Sequence, residues 1–227
     1  MRTAFRFALA TLLLTVCAQV GLADKPKSAA VEMFGPKAPK TITWIAYSED
    51  EDTKLEDVWK IGPQEIICKG TPLGYLRTEQ DFTDFILELE YRWPKGKPGR
   101  GGVLIRTTGP DRIWPKSLEA QINVGGAGDF WGLIGYELTG PKDRMQVIEH
   151  DDFGKLTNLK KTEDVEREPG EWNQYVITAR GGKVTLEING KVVNETTDCE
   201  VEPGKIVLTS EGNEIHFRNV RITVLDK

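Results

Sequence analysis

The chain has 227 residues, 29% of them charged, with a formal net charge of −5. A mildly acidic balance without a basic stripe excludes nucleic acid as a partner and gives no attraction to anionic membranes. The length suits one all-β domain, and no stretch after the N-terminal segment is apolar for long enough to span a bilayer.

The chain opens "MRTAFRFALATLLLTVCAQVGLA". Arg2 and Arg6 precede an apolar run that ends near Val20, followed by Gly21-Leu22-Ala23. This is the pattern of a signal peptide over residues 1–23 with cleavage after Ala23, so the protein is expected to be secreted or periplasmic, with no membrane contact once cleaved. A lipoprotein reading through Cys17 is disfavoured by the bulk of Val16. Cleavage reduces 30 basic residues to 28 against 35 acidic ones, a balance of −7. Export leaves Cys68 and Cys199, which either pair or stay as buried thiols; the sequence does not choose.

Residues 24–40 are rich in Lys, Pro and Ala and read as a linker, with a short apolar contact at Val31, Met33 and Phe34. The domain is expected over residues 41–227. "TKLEDVWK" is the one helical candidate, about two turns long. "DFILELEYRW" sets Phe85, Leu87, Leu89 and Tyr91 against Ile86, Glu88, Glu90 and Arg92, the period of a half-buried strand. "GGVLIRTT" is a strand after the loop "PKGKPGRGG". "YVITARGGKVTLEINGKVVNE" reads as three strands joined by Gly-Gly and Asn-Gly turns. "GKIVLTSEGNEIHFRNVRITVL" reads as a further hairpin turning at Gly212-Asn213. Many short strands with turn signals and no repeat predict an all-β, two-sheet antiparallel β-sandwich.

The candidate site lies in "WPKSLEAQINVGGAGDFWGL". Leu118, Ala120 and Ile122 alternate with Glu119, Gln121 and Asn123, so one strand face is apolar and the other carries a carboxylate and two amides. Trp114 and Trp131 flank it, and tryptophan suits the apolar C–H face of a sugar ring. Arg106 on the preceding strand is expected to approach Glu119. As a solvated cross-strand ion pair it would be worth little; as a guanidinium in a tryptophan-walled cleft it would serve chemistry. His150 and His216 are in no metal-ligand spacing, and no phosphate loop or nucleophile elbow is present.

Four blocks carry a resemblance: "CKGTPLGYLRTEQDFTDFILELEYRW", "GGVLIRTTGPDRIWPKSLEAQI", "GEWNQYVITARGGKVTLEINGKVVN" and "GKIVLTSEGNEIHFRNVRI". In this order they are similar to the 3-keto-disaccharide hydrolase domain family, from about Trp44 to Leu225. The resemblance implies a concanavalin-A-like lectin/glucanase jelly roll and an oxidised disaccharide or glycoside as partner. Glucanases of that class have an E-x-D-x-x-E strand; here Gln121 and Val124 replace the second and third acids, which departs from two-carboxylate hydrolysis.

For a 3-keto sugar one base suffices. It removes the acidified C2 proton, and the C1 substituent then leaves by elimination. The expected roles are Glu119 as base, Arg106 and Gln121 on the enolate oxygen, and Trp114, Trp131 and Asn123 on the sugar. Glu149, His150 and Asp151 are the reserve acids. No cofactor is expected, and no ligand set for a metal stands out, though a divalent metal would serve in place of Arg106 and Gln121. A sugar dehydrogenase is the partner implied for making the keto substrate. The alternative is a non-catalytic, lectin-like carbohydrate-binding module.

Overall fold

The computed structural model describes residues 29–226; the expected signal peptide lies outside them. The strands in chain order are β1 (Val31–Glu32), β2 (Trp44–Ser48), β3 (Trp59–Ile61), β4 (Ile66–Cys68), β5 (Gly74–Thr78) and β6 (Phe85–Arg92). Then come β7 (Gly102–Thr108), β8 (Lys116–Gln121), β9 (Phe130–Leu133), β10 (Met145–His150) and β11 (Gly154–Leu159). The last are β12 (Asn173–Arg180), β13 (Lys183–Ile188), β14 (Lys191–Thr196), β15 (Lys205–Ser210) and β16 (Ile215–Val224). They form two antiparallel sheets of eight strands. The back sheet runs β14-β13-β12-β6-β16-β4-β3, with β1 also on β16; the front sheet runs β10-β11-β9-β8-β7-β15-β5-β2.

The sandwich follows from strand alternation. On β6, Phe85, Leu87, Leu89 and Tyr91 are buried, and each faces an inward residue of β12 or β16 across the ladder. From the front sheet, Leu118, Ala120, Ile122 and Phe130 meet them in the same core. The Asn189-Gly190 turn joins β13 to β14 as expected, with φ of 51° and 80°, the left-handed pair a two-residue type I′ hairpin needs.

Two expectations are corrected and one open question is resolved. The helix has one turn, α1 (Leu55–Val58), before the chain turns into β3. The stretch with Gly212-Asn213 is not a hairpin: β15 pairs with β5 and β7 in the front sheet, whereas β16 pairs with β6 and β4 in the back sheet. Both edges of β15 are already occupied, so the chain must cross at Gly212. Cys68 and Cys199 are both buried free thiols, so the open question of their pairing resolves to no bond. The apolar contact expected near the N-terminus does form: Met33 is buried, and Phe34 stacks on Trp44 at 4.3 Å.

A candidate active site on the front sheet

The alternation on β8 holds. Leu118, Ala120 and Ile122 enter the core, and Glu119 and Gln121 take the outer face of the front sheet. The register places Glu119 between Leu104 of β7 and Trp131 of β9. It is not a solvated row. Glu119 is 6% exposed, because Tyr75, Leu104, Leu133 and Val207 pack with Trp114, Trp131 and Leu156 on this face.

Gly102 makes room for the carboxylate. A Cβ at Gly102 would lie 2.4 Å from Glu119 Oε1, so glycine is required by the neighbour rather than by backbone conformation. Thr209 on β15 completes the floor. Its Oγ1 accepts from Gly102 N at 2.7 Å, which leaves the hydroxyl proton for a nearby acceptor.

Two residues beyond Thr209, on the same side of the chain, stands a second acid, Glu211. The Thr209 hydroxyl binds it, and Trp114 Nε1 donates to its Oε1 at 3.4 Å. Burial, and then the charges of Glu211 and Asp129, push the Glu119 carboxyl well above its ordinary range. Burial also raises Glu211, but Thr209, Trp114 and the Arg100 charge pull it back. Among the described residues nothing donates a hydrogen bond to the Glu119 carboxylate. Glu211 thus has partners that stabilise its charge, and Glu119 has none.

The tryptophans are fixed from two directions. Arg77 binds Asp111 through Nε and Nη2 at 2.8 and 2.9 Å, and the Tyr75 hydroxyl donates to the same carboxylate at 2.7 Å. This bidentate anchor holds the loop that carries Trp114. Trp114 meets Phe153 edge-on at 4.9 Å, and Arg112 Nη2 donates to Asp152 O, so the tip of the β10–β11 hairpin rests on that loop. Trp131 stands opposite Glu119 on β9, with its Nε1 buried and without an acceptor.

Arg106 does not approach Glu119, and this corrects the expected pair. It lies at a bulge in β7, with φ of 50°, and is 1% exposed. Its guanidinium donates to Thr83 O, Gly181 O and Glu200 O and pairs with Asp84 at 3.3 Å. The bulge breaks the alternation that would have carried it outward, and it becomes a tie between loops.

Gln121 is half-buried against the Gly125–Gly128 turn, where a Cβ on Gly126 would lie 2.6 Å from its Oε1. Asn123 Oδ1 accepts from Gly101 N at 2.7 Å, a positioning bond for the chain ahead of β7. Glu149, His150 and Asp151 are exposed around the tip of the β10–β11 hairpin, where His150 packs on Phe153 at 4.8 Å. Among the described residues no group of three or more His, Cys, Asp or Glu is arranged to hold a metal ion.

Sequence reasoning missed Glu211, Thr209 and Arg100. The period-2 pattern of Val207, Thr209 and Glu211 was available, but placing the turn at Gly212 hid it.

Two antiparallel sheets packed face to face in this order form a concanavalin-A-like jelly roll. The chain belongs to the 3-keto-alpha-glucoside-1,2-lyase-like domain family, whose model matches residues 37–223. A comparison with curated proteins gives no match. Similar solved structures include a provisionally named glycosyl hydrolase of Parabacteroides distasonis, at 16% identity, 81% of this chain, 89% of that chain and a TM-score of 0.56. The carbohydrate-binding module CBM66 of Bacillus subtilis is similar at 12% identity, 81% and 97% coverage, and TM-score 0.57. The β-glucanase of Bacillus licheniformis follows at 10% identity, 87% and 98% coverage, and TM-score 0.55. At these identities the structures share the fold alone.

Proposed function

We propose that this protein cleaves 3-keto-glycosides by eliminating the C1 substituent, with Glu119 and Glu211 as the acid–base pair. The observation that carries the reading is two neighbouring carboxyl groups on a tryptophan-walled face, of which Glu211 has hydrogen-bond donors and Glu119 has none. Unequal environments separate acid from base within such pairs. Glu211, whose charge Thr209, Trp114 and Arg100 favour against its burial, takes the C2 proton. The C2–H electron pair forms the C2–C3 double bond, and the carbonyl pair moves to the C3 oxygen. When the enolate collapses, the C1–O bond breaks, and Glu119 supplies a proton to the departing oxygen. Addition of water afterwards makes the net change a hydrolysis. This assignment exchanges the role expected for Glu119 from the sequence, because a buried acid facing another carboxylate keeps its proton.

Export to the periplasm or beyond, and a sugar dehydrogenase that supplies the ketone, belong to the same reading. The test is incubation with 3-keto-trehalose, 3-keto-glucosides and unmodified disaccharides, with and without chelator. Turnover of the keto sugars alone is expected. Glu119→Gln and Glu211→Gln should each lose roughly 10²–10⁴-fold in kcat, with sugar binding retained. Binding without turnover by the unaltered protein would establish the lectin-like alternative.

A further inference from the structure

An elimination through an enolate needs a positive group at the C3 oxygen. Arg106 is committed inside the fold, Arg77 to Asp111, and Arg112 to the Asp152 carbonyl. One guanidinium on the front face has no such commitment. Arg100 is exposed, and among the described residues its side chain makes no hydrogen bond or ion pair.

Its direction follows from its neighbours. A Cβ at Gly99 would meet Trp93 at 2.4 Å, and one at Gly101 would meet Trp93 at 3.4 Å and Ile122 at 3.6 Å, so both face inward. In extended chain the residue between them faces outward, on the side where Gly102 meets Glu119. The backbone there is held from both sides. Arg100 N donates to Asn213 Oδ1, Gly101 N donates to Asn123 Oδ1, and Val124 N donates to Gly99 O. Arg100, Gln121, Asn123 and Asn213 line one open groove, and the Arg100 charge reaches Glu211.

We infer that Arg100 is the catalytic cation of this site, receiving the C3 oxygen of the keto sugar as negative charge develops on it, with the groove beyond taking sugar hydroxyls. The inference rests on the elimination reading above. The base beside it takes the C2 proton, the freed electrons reach O3 through the new double bond, and the guanidinium holds that charge until C1–O cleavage returns it.

The test compares the unaltered protein with Arg100→Ala and Arg100→Lys. Three measurements are made: kcat and KM on a 3-keto-glycoside, hydrogen–deuterium exchange at C2 of a 3-keto sugar with a poor leaving group, and melting temperature. Arg100→Ala should lower kcat about 10²–10³-fold, the usual worth of one oxyanion donor. C2 exchange should be lost in parallel, and the melting temperature should stay unchanged because the side chain is exposed. Arg100→Lys should recover part of both rates, since an ammonium keeps the charge without the planar fork. Exchange and kcat within threefold of the unaltered protein, or a rise in KM alone, overturns the inference and leaves the elimination reading standing. An unaltered protein that neither exchanges C2 hydrogen nor cleaves keto-glycosides overturns both.

Discussion

Gly102→Ala tests the floor of the site without altering any charged group. The backbone at Gly102 has no positive φ, so alanine fits its conformation. At such positions Gly→Ala stabilises by about 0.4–1 kcal/mol through the unfolded chain. Here the new methyl would lie 2.4 Å from Glu119 Oε1, and 2.9 Å from its Cδ and Cγ. Ordinary contact begins at 3.4 Å, so the carboxylate must retreat by 3.4 − 2.4, or 1.0 Å. It has little space for this, being wedged between Leu104 and Trp131 at 6% exposure. Overpacking of this kind costs about 1–3 kcal/mol, which outweighs the entropic gain. A displacement of about 1 Å in a reacting group also lowers turnover on the order of 10²-fold. The assay is a four-protein cycle of unaltered protein, Gly102→Ala, Glu119→Ala and the double variant, each unfolded in urea. Gly102→Ala should destabilise the unaltered protein but stabilise the Glu119→Ala background, because truncation removes all three contacted atoms. Additive effects in the cycle would refute the packing argument.

The raised Glu119 carboxyl makes stability depend on pH in a defined direction. Its contribution is whole below the ordinary value of 4.5 and is lost as pH rises through the elevated folded value. Glu119→Gln should therefore match the unaltered protein near pH 4 and exceed it in denaturant midpoint at neutral pH and above. Arg106→Met strands the carbonyls of Thr83, Gly181 and Glu200 together with Asp84, and should cost about 3–5 kcal/mol by urea unfolding. Peptide mapping without reductant should recover Cys68 and Cys199 as free thiols, and Cys68, pushed up by burial to about 11, should resist alkylation at pH 8 until the protein unfolds. N-terminal sequencing of protein from the envelope fraction should begin at Asp24, and an intact Met1 form in the cytoplasm would overturn the export reading.

Strand alternation made the sandwich legible, because burying one face of Phe85–Arg92 or Lys116–Gln121 is a local demand that tertiary packing obeys. The Asn189-Gly190 hairpin was legible for the same reason: its backbone chemistry is contained in two residues. The crossing at Gly212 was not. Its local signature is that of a hairpin, and only the occupation of both β15 edges by distant strands decides against it. That error concealed Glu211. The two arginines show a similar limit. Arg106 lies in an alternating run, but a bulge turns it inward; Arg100 lies in a glycine-rich stretch that reads as loop, yet the Asn123 and Asn213 side chains and the Val124 amide hold the backbone around it in place.

The chain leaves the front sheet for the back sheet immediately after Glu211, and the corner rests on Gly70. Gly70 has φ of +84°, and a Cβ there would come within 2.3 Å of the Asn213 backbone, while Gly212 N donates to Gly70 O at 2.6 Å. An acid and an amide of the front groove are thus steered from a residue that follows a back-sheet strand. In a laboratory selection for retained turnover, Gly70 should stay glycine although it lies outside the cleft. A library confined to cleft-lining residues would leave out a position on which the aim of Glu211 and Asn213 depends.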